Sequence, residues 1–144
     1  MIPELDVSQA QTLDAAKAIL DGDALSFGPA PYAAGTSERA LEVPFAANYV
    51  KGAKTILDLG FTFSSLDYLG LLLDLLDRGV DVRAYDIVTP ARVAERYPQV
   101  WRDRVMAVPF TQGDIRDIAL PQGYFDVCAC ISTLEHIGFD EASD

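Results

Sequence analysis

The stretch T55-I-L-D-L-G-F-T-F-S-S-L-D-Y-L-G-L-L-L-D-L-L-D77 decides how this chain is read. Thr55, Ile56 and Leu57 form a short apolar run that leads into Asp58, Leu59 and Gly60. A small polar turn ending in Ser64 and Ser65 follows. Beyond it Leu66, Leu69, Leu73 and Leu76 recur at helical spacing, and Leu72 and Leu75 widen the stripe. A buried strand, a tight turn and a helix packed between neighbours make the opening βα unit of an α/β fold.

Working outward, Val80 to Tyr85 alternates and ends on Asp86, a second strand. Thr89-Pro90 places proline at the first helical position, so a helix is predicted from Pro90 to about Tyr97. Val105 to Val108 reads as a third, short strand, Gln112-Gly113-Asp114 as a turn, and Ile115 to Leu120 as a brief helical or irregular piece. Phe125 to Ile131 lacks alternation and is expected to be a fourth strand buried on both faces. Upstream, Ser8 with Gln11 fits a capping box opening a helix from Gln9 to Leu20, and Gly22 stops it. Residues 22–35 read as a loop. A second helix follows from about Glu38 to Tyr49, restarted or kinked at Pro44. Residues 1–50 thus form a helical cap segment and residues 51–144 the core of a single domain.

The 144 residues carry 22 acidic and 11 basic side chains, a net charge of −11, and half of them are hydrophobic. So acidic a surface disfavours nucleic acid and anionic membranes as partners. The leucine stretch is too short, and too often broken by Asp67, Asp74 and Asp77, to span a bilayer. Residues 1–6 lack the basic and apolar regions of a signal peptide. Cys128 and Cys130 lack C-x-x-C spacing and read as buried free thiols, so a cytoplasmic location is expected. The lone His136 has no second histidine near it to share a metal, and no metal site is expected.

Strands alternating with helices imply βαβ units and a parallel sheet, whose ligands bind outside the carboxyl ends of the strands. Those ends carry Asp58 with Gly60, then Asp86, Asp114, and Ser132 with Glu135 and His136, and all should face one crevice. Asp86 is placed to accept from ribose hydroxyls, though a solvated loop carboxylate fits as well. Asp114 after Gly113 suits a simple turn. His136 is a candidate general base, with an idle surface histidine equally compatible.

These residues resemble the class I S-adenosylmethionine-dependent methyltransferases. Ile56-Leu57-Asp58-Leu59-Gly60 is similar to their first motif, Ala84-Tyr85-Asp86-Ile87 to the ribose-binding acid, and Gly113-Asp114-Ile115-Arg116-Asp117 to the loop under the adenine. Phe125-Asp126-Val127 with the run from Ser132 to Gly138 resembles the fourth strand and its loop. The resemblance implies a Rossmann-like three-layer sandwich with a mainly parallel sheet in the order 3-2-1-4, and S-adenosylmethionine as cofactor. It implies that Asp58 orients the methionine amino group and that the backbone of Gly60 and Phe61 passes close to the cofactor. Asp86 would hold the ribose, Ile87 would pack on the adenine, Asp114 would accept from its amino group beside Ile115, and Ser132 would touch the methionine end. Glu135 and His136 would face the acceptor, with His136 the candidate base.

Two departures stand out. Thr62 and Ser64 replace glycines of the family's turn, with Phe63 between them, so Thr62 and Phe63 are expected to keep negative φ and to send the turn along a different path. The family's sheet is seven-stranded and the resemblance runs out after the fourth strand, so the chain reads as truncated. Its fourth-strand edge would be covered by the missing half or by a second copy. The alternative function is an inactive module that assembles through that strand. A nicotinamide-dependent oxidoreductase is discounted, because Gly60 is the one glycine of G-x-G-x-x-G present.

Overall fold

The computed structural model describes residues 5–29, 36–131, Thr133, Leu134 and Ile137. Helices α1 (Val7–Leu20) and α2 (Arg39–Val50) precede β1 (Thr55–Leu59), α3 (Leu66–Asp77) and β2 (Asp81–Asp86). Helix α4 (Arg102–Met106), β3 (Phe110–Gln112) and β4 (Val127–Ala129) follow. The sheet is parallel throughout, in the order β3-β2-β1-β4, the order that the resemblance implies.

Ile56, Asp58, Val82, Ala84 and Ala129 share one face of the sheet and are buried, with α3 packed on β2 and α2 on β4. Period-2 alternation in β2 leaves Arg83 exposed on the other face. Helix α3 is enclosed because α1 and α2 pack on its outer side, so Leu69, Leu71, Leu72, Leu73 and Leu75 are all buried. Gly70 makes the closest approach possible: a Cβ there would lie 2.6 Å from Leu13 Cδ2 and 2.9 Å from Trp101 Cη2. At the opposite end from the crevice, Asp126 Oδ2 accepts from the N–H groups of Lys54 (2.8 Å) and Thr55 (3.1 Å), which ties β4 to the start of β1. Among the described residues no helix is long and apolar enough to cross a membrane.

Several local expectations are corrected. The third strand lies at Phe110–Gln112, and Val105 and Val108, spaced three apart, sit buried on one side of α4 and the turn after it. Helix α1 starts two residues early, because Asp6 rather than Ser8 is its cap. Asp6 Oδ1 accepts from Gln9 N (2.7 Å) while Gln9 Oε1 accepts from Asp6 N (3.1 Å). Pro44 does not break α2. The Ala40 carbonyl that a proline four residues on leaves unbonded accepts instead from Gly28 N–H at 3.0 Å. Residues Pro90–Arg96 form a kinked 3-10 run, out of helical conformation at Val93. Strand β4 is shorter than expected and not buried on both faces. Its Cys128 is exposed and Cys130, just past its end, is half-buried, because β4 ends the sheet order and pairs with β1 alone among the described residues.

Candidate functional site

Gly60 begins the site. Its N–H donates to Tyr85 O (2.9 Å), extending the β1–β2 ladder, and its φ of +88° swings the chain out of the sheet. A Cβ at Gly60 would lie 2.0 Å from Thr133 Oγ1, so the segment after β4 closes directly over it. Glycine is required here for conformation and for space.

Phe61–Phe63 then makes a single 3-10 turn, which keeps Thr62 and Phe63 at negative φ. Thr62 is fully buried and held three ways. Its N–H donates to Asp86 Oδ2 (2.9 Å), its hydroxyl donates to the Val88 carbonyl, and its own carbonyl accepts from Tyr97 OH (2.8 Å). Asp86 Oδ1 accepts from Val88 N–H (3.1 Å). The β-branched residue in a glycine's place therefore joins the turn to the tip of β2. A carboxylate has about four acceptor positions, so Asp86 keeps capacity for a further donor.

Behind this rim lies a buried acid. Asp58 is 1% exposed, and its Oδ1 accepts from Tyr68 OH at 2.6 Å. Burial pushes the Asp58 carboxyl up to about 7, against the Tyr68 hydrogen bond, with the nearby Asp86 charge adding a further upward push. Burial, with the Asp58 charge beside it, also raises the Tyr68 phenol well above its ordinary value. Among the described residues Asp58 Oδ2 has no hydrogen-bond partner, nor has the buried hydroxyl of Ser65. Ser65 stands at the N-cap of α3 but makes no capping bond. Buried polar atoms without partners are uncommon and mark places where a ligand or water is received.

Ser65 and Tyr68 line a cleft of about 290 Å³, counting its open mouth. Gly60, Phe63, Ser64, Ile131, Thr133 and Arg39 complete its wall. Arg39 comes from the first turn of α2 and is paired with Glu42. Phe63, 52% exposed, stands on the rim with the Arg96 guanidinium 5.2 Å from its ring centroid.

The outer half of the crevice lies over β2 and β3. Gly113 N–H donates to Asp86 O (3.0 Å), and Tyr85 OH donates to Asp114 O (3.2 Å), so Asp86 and Asp114 belong to the same end of the sheet. Asp114 caps the turn Ile115–Asp117 through Arg116 N–H (2.9 Å), and both its oxygens meet the Arg116 guanidinium. That pairing holds its carboxyl down at about 2. Ile87 is 60% exposed, its carbonyl accepting from Gln112 Nε2 (2.9 Å), and Ile115 is half-buried beside Asp114.

The structure therefore gathers Asp58, Gly60, Phe61, Asp86, Ile87, Asp114 and Ile115 at the carboxyl ends of β1, β2 and β3. Phe61 offers only backbone, its side chain being fully buried. Ser132, Glu135 and His136 lie outside the described residues. Sequence reasoning missed Tyr68, Arg39 and Thr133. A tyrosine inside a leucine helix and an arginine opening another give no local signal, and Thr133 is revealed only by its approach to Gly60. Among the described residues no cluster of His, Cys, Asp and Glu could hold a metal.

An all-parallel β3-β2-β1-β4 sheet with acids at its strand tips, a left-handed glycine after β1 and a cleft beside it defines a Rossmann-like α/β protein. The methyltransferase domain family matches residues 68–144, more than half of the chain, and the chain belongs to that family. Asp86, Ile87, Asp114 and Ile115 fall inside the matched span, whereas Asp58 and Gly60 precede it. No curated protein and no solved structure matched the chain.

Proposed function

We propose that the chain binds S-adenosylmethionine at the carboxyl ends of its strands and transfers the methyl group to an acceptor other than nucleic acid. The observation that carries this reading is the pair of unpartnered buried oxygens, Asp58 Oδ2 and Ser65 Oγ, beside a cleft that also holds Arg39. The amino-acid end of the cofactor brings ammonium donors for the first and a carboxylate for Ser65 and the arginine. Asp86 is placed for the ribose hydroxyls, Ile87 for one face of the adenine, and Asp114 with Ile115 for its edge. Phe61 offers its backbone next to Gly60. When bound, the cofactor supplies an electrophilic methyl group on a sulfonium.

The protein's own part is alignment and exclusion of water. The Thr62 turn is already formed, so little ordering is left to be done on binding. The net charge of −11 draws a cationic sulfonium toward the crevice. Ser132 at the methionine end and Glu135 on the acceptor side remain proposals from the resemblance, as does His136 as base for an acceptor that must lose a proton.

Isothermal calorimetry with S-adenosylmethionine and S-adenosylhomocysteine tests the reading. Binding by the wild type is expected, with Asp86→Ala weakening it at least about tenfold, the scale of a lost hydrogen bond to a charged group. A thermal melt run beside it separates lost binding from lost folding. No binding by a folded wild type, or an unaffected Asp86→Ala, overturns the proposal.

A second reading, an inactive module that assembles through β4, is favoured by one observation. Strand β4 ends the sheet order and pairs with β1 alone among the described residues. Sedimentation equilibrium distinguishes the two: a stable oligomer that ignores the cofactor supports the second and sinks the first.

A further inference from the structure

We propose that Tyr68 is a positioning residue, whose hydroxyl clamps Asp58 Oδ1 so that Oδ2 alone is presented to the ammonium end of a ligand, directly or through one water. The inference rests on the functional reading above and deepens it.

The geometry is specific. Tyr68 forms part of the cleft wall while bonding Asp58 at 2.6 Å behind it, and Asp58 lies two residues before Gly60, which forms another part of that wall. A carboxylate that is 1% exposed, with one oxygen fixed and the other without a partner, has no rotational choice left. Tyr68 is itself held. Its ring is buried in α3, and its N–H donates to Asp67 Oδ1 at 2.9 Å. A phenol can do this where a serine or water could not, because its ring spans from the helix to the strand and, among the described residues, its hydroxyl serves no other acceptor.

The clamp also sets the charge of the acid. Tyr68 on α3 and Asp86 at the tip of β2 act on Asp58 directly, Asp67 and Cys130 after β4 face Tyr68, and Arg39 of α2 lines the cleft that Tyr68 also lines. Of these, the hydrogen bond from Tyr68 favours the ionised carboxylate, while burial and Asp86 disfavour it. The balance falls near neutrality, so affinity for a cationic ammonium should climb as pH rises through about 7 and then level off.

The test is Tyr68→Phe, which keeps the ring and removes the hydroxyl. Carboxyl carbon NMR of the ligand-free protein should show the Asp58 midpoint moving up by about one unit. Calorimetry with S-adenosylhomocysteine from pH 5.5 to 8.5 should show binding about tenfold weaker at pH 7, with the rise in affinity displaced upward by the same interval. An unmoved Asp58 midpoint, or a wild-type pH profile merely scaled down, overturns the proposal, since packing loss alone gives the latter. Asp58→Asn provides a second arm, with Tyr68 intact. Its binding should be weak and flat with pH, and a retained pH dependence overturns the proposal as well. If the wild type binds no S-adenosylhomocysteine at any pH, the functional reading fails and takes the ligand role of Tyr68 with it. A wild type that binds, beside a Tyr68→Phe that binds identically, sinks this inference alone.

Discussion

Removing the charge of Asp58 should stabilise the protein, and only above a definite pH. Asp58 is fully buried, and its carboxyl rises from 3.8 in the unfolded chain to about 7 in the fold. The folded state therefore holds a proton that the unfolded state releases between those values, and stability falls as pH climbs from about 4 to 7. At 1.36 kcal/mol per unit, the loss approaches roughly 4 kcal/mol, a large share of the ~5–15 kcal/mol typical of a domain. Asp58→Asn removes the titration. Its amide oxygen can keep the Tyr68 bond, but its amide N–H₂ becomes an unsatisfied buried donor costing about 1–3 kcal/mol. The variant should thus be less stable than wild type at pH 4.5 and more stable, by about 1–3 kcal/mol, at pH 8. Urea melts of both proteins at half-unit steps from pH 4.5 to 8.5 measure the crossing. The carboxylates of Asp81, Asp114 and Asp126 are held low, so their contribution is lost only below the ordinary carboxylate range and cancels in the comparison. Parallel curves between pH 4.5 and 7 would refute the argument that a charged Asp58 is the strained member of the site.

The remaining expectations concern the rim. Gly60→Ala meets both a positive φ and the Thr133 side chain 2.0 Å away, so chemical melts should show a loss of about 2–4 kcal/mol. Adding Thr133→Gly should return the steric part and leave the conformational part. Tyr97→Phe removes the buried hydroxyl that donates to Thr62 O, costing about 1–1.5 kcal/mol at pH 7. Burial pushes that phenol up to about 12, so the wild type loses stability as pH rises from 10 toward 12. The variant should lose less over the same interval, since only the raised phenols of Tyr68 and Tyr124 then remain among the described residues.

What the sequence made readable is what repeats in short windows. The run from Thr55 to Leu59, the leucines of α3 and the alternation of strands with helices sufficed for a parallel sheet, while its order 3-2-1-4 came from the family resemblance. The third strand was misplaced because Val105 and Val108 are apolar residues three apart, a spacing that a one-turn helix uses as readily as a strand. Cys128 was expected to be buried because an apolar run carries no mark of which face meets solvent. The Asp58–Tyr68 pair was invisible for another reason: it joins a strand to a helix ten residues on, through a contact that periodicity does not encode. Thr62 was recognised as an obstacle to the family's turn. That its hydroxyl, N–H and carbonyl would each find a partner across β2 and Tyr97 required the fold to be assembled first.

The triple anchorage of Thr62 has a consequence for kinetics. A glycine-rich turn is a supple lip that folds down on its guest, whereas this one is riveted on three sides before any guest arrives. Entry should then resemble a key meeting a finished lock, with a single concentration-dependent phase in stopped-flow traces and no slower isomerisation behind it. By the same token the amide proton of Thr62 should be among the slowest on the rim to exchange with heavy water, with ligand or without.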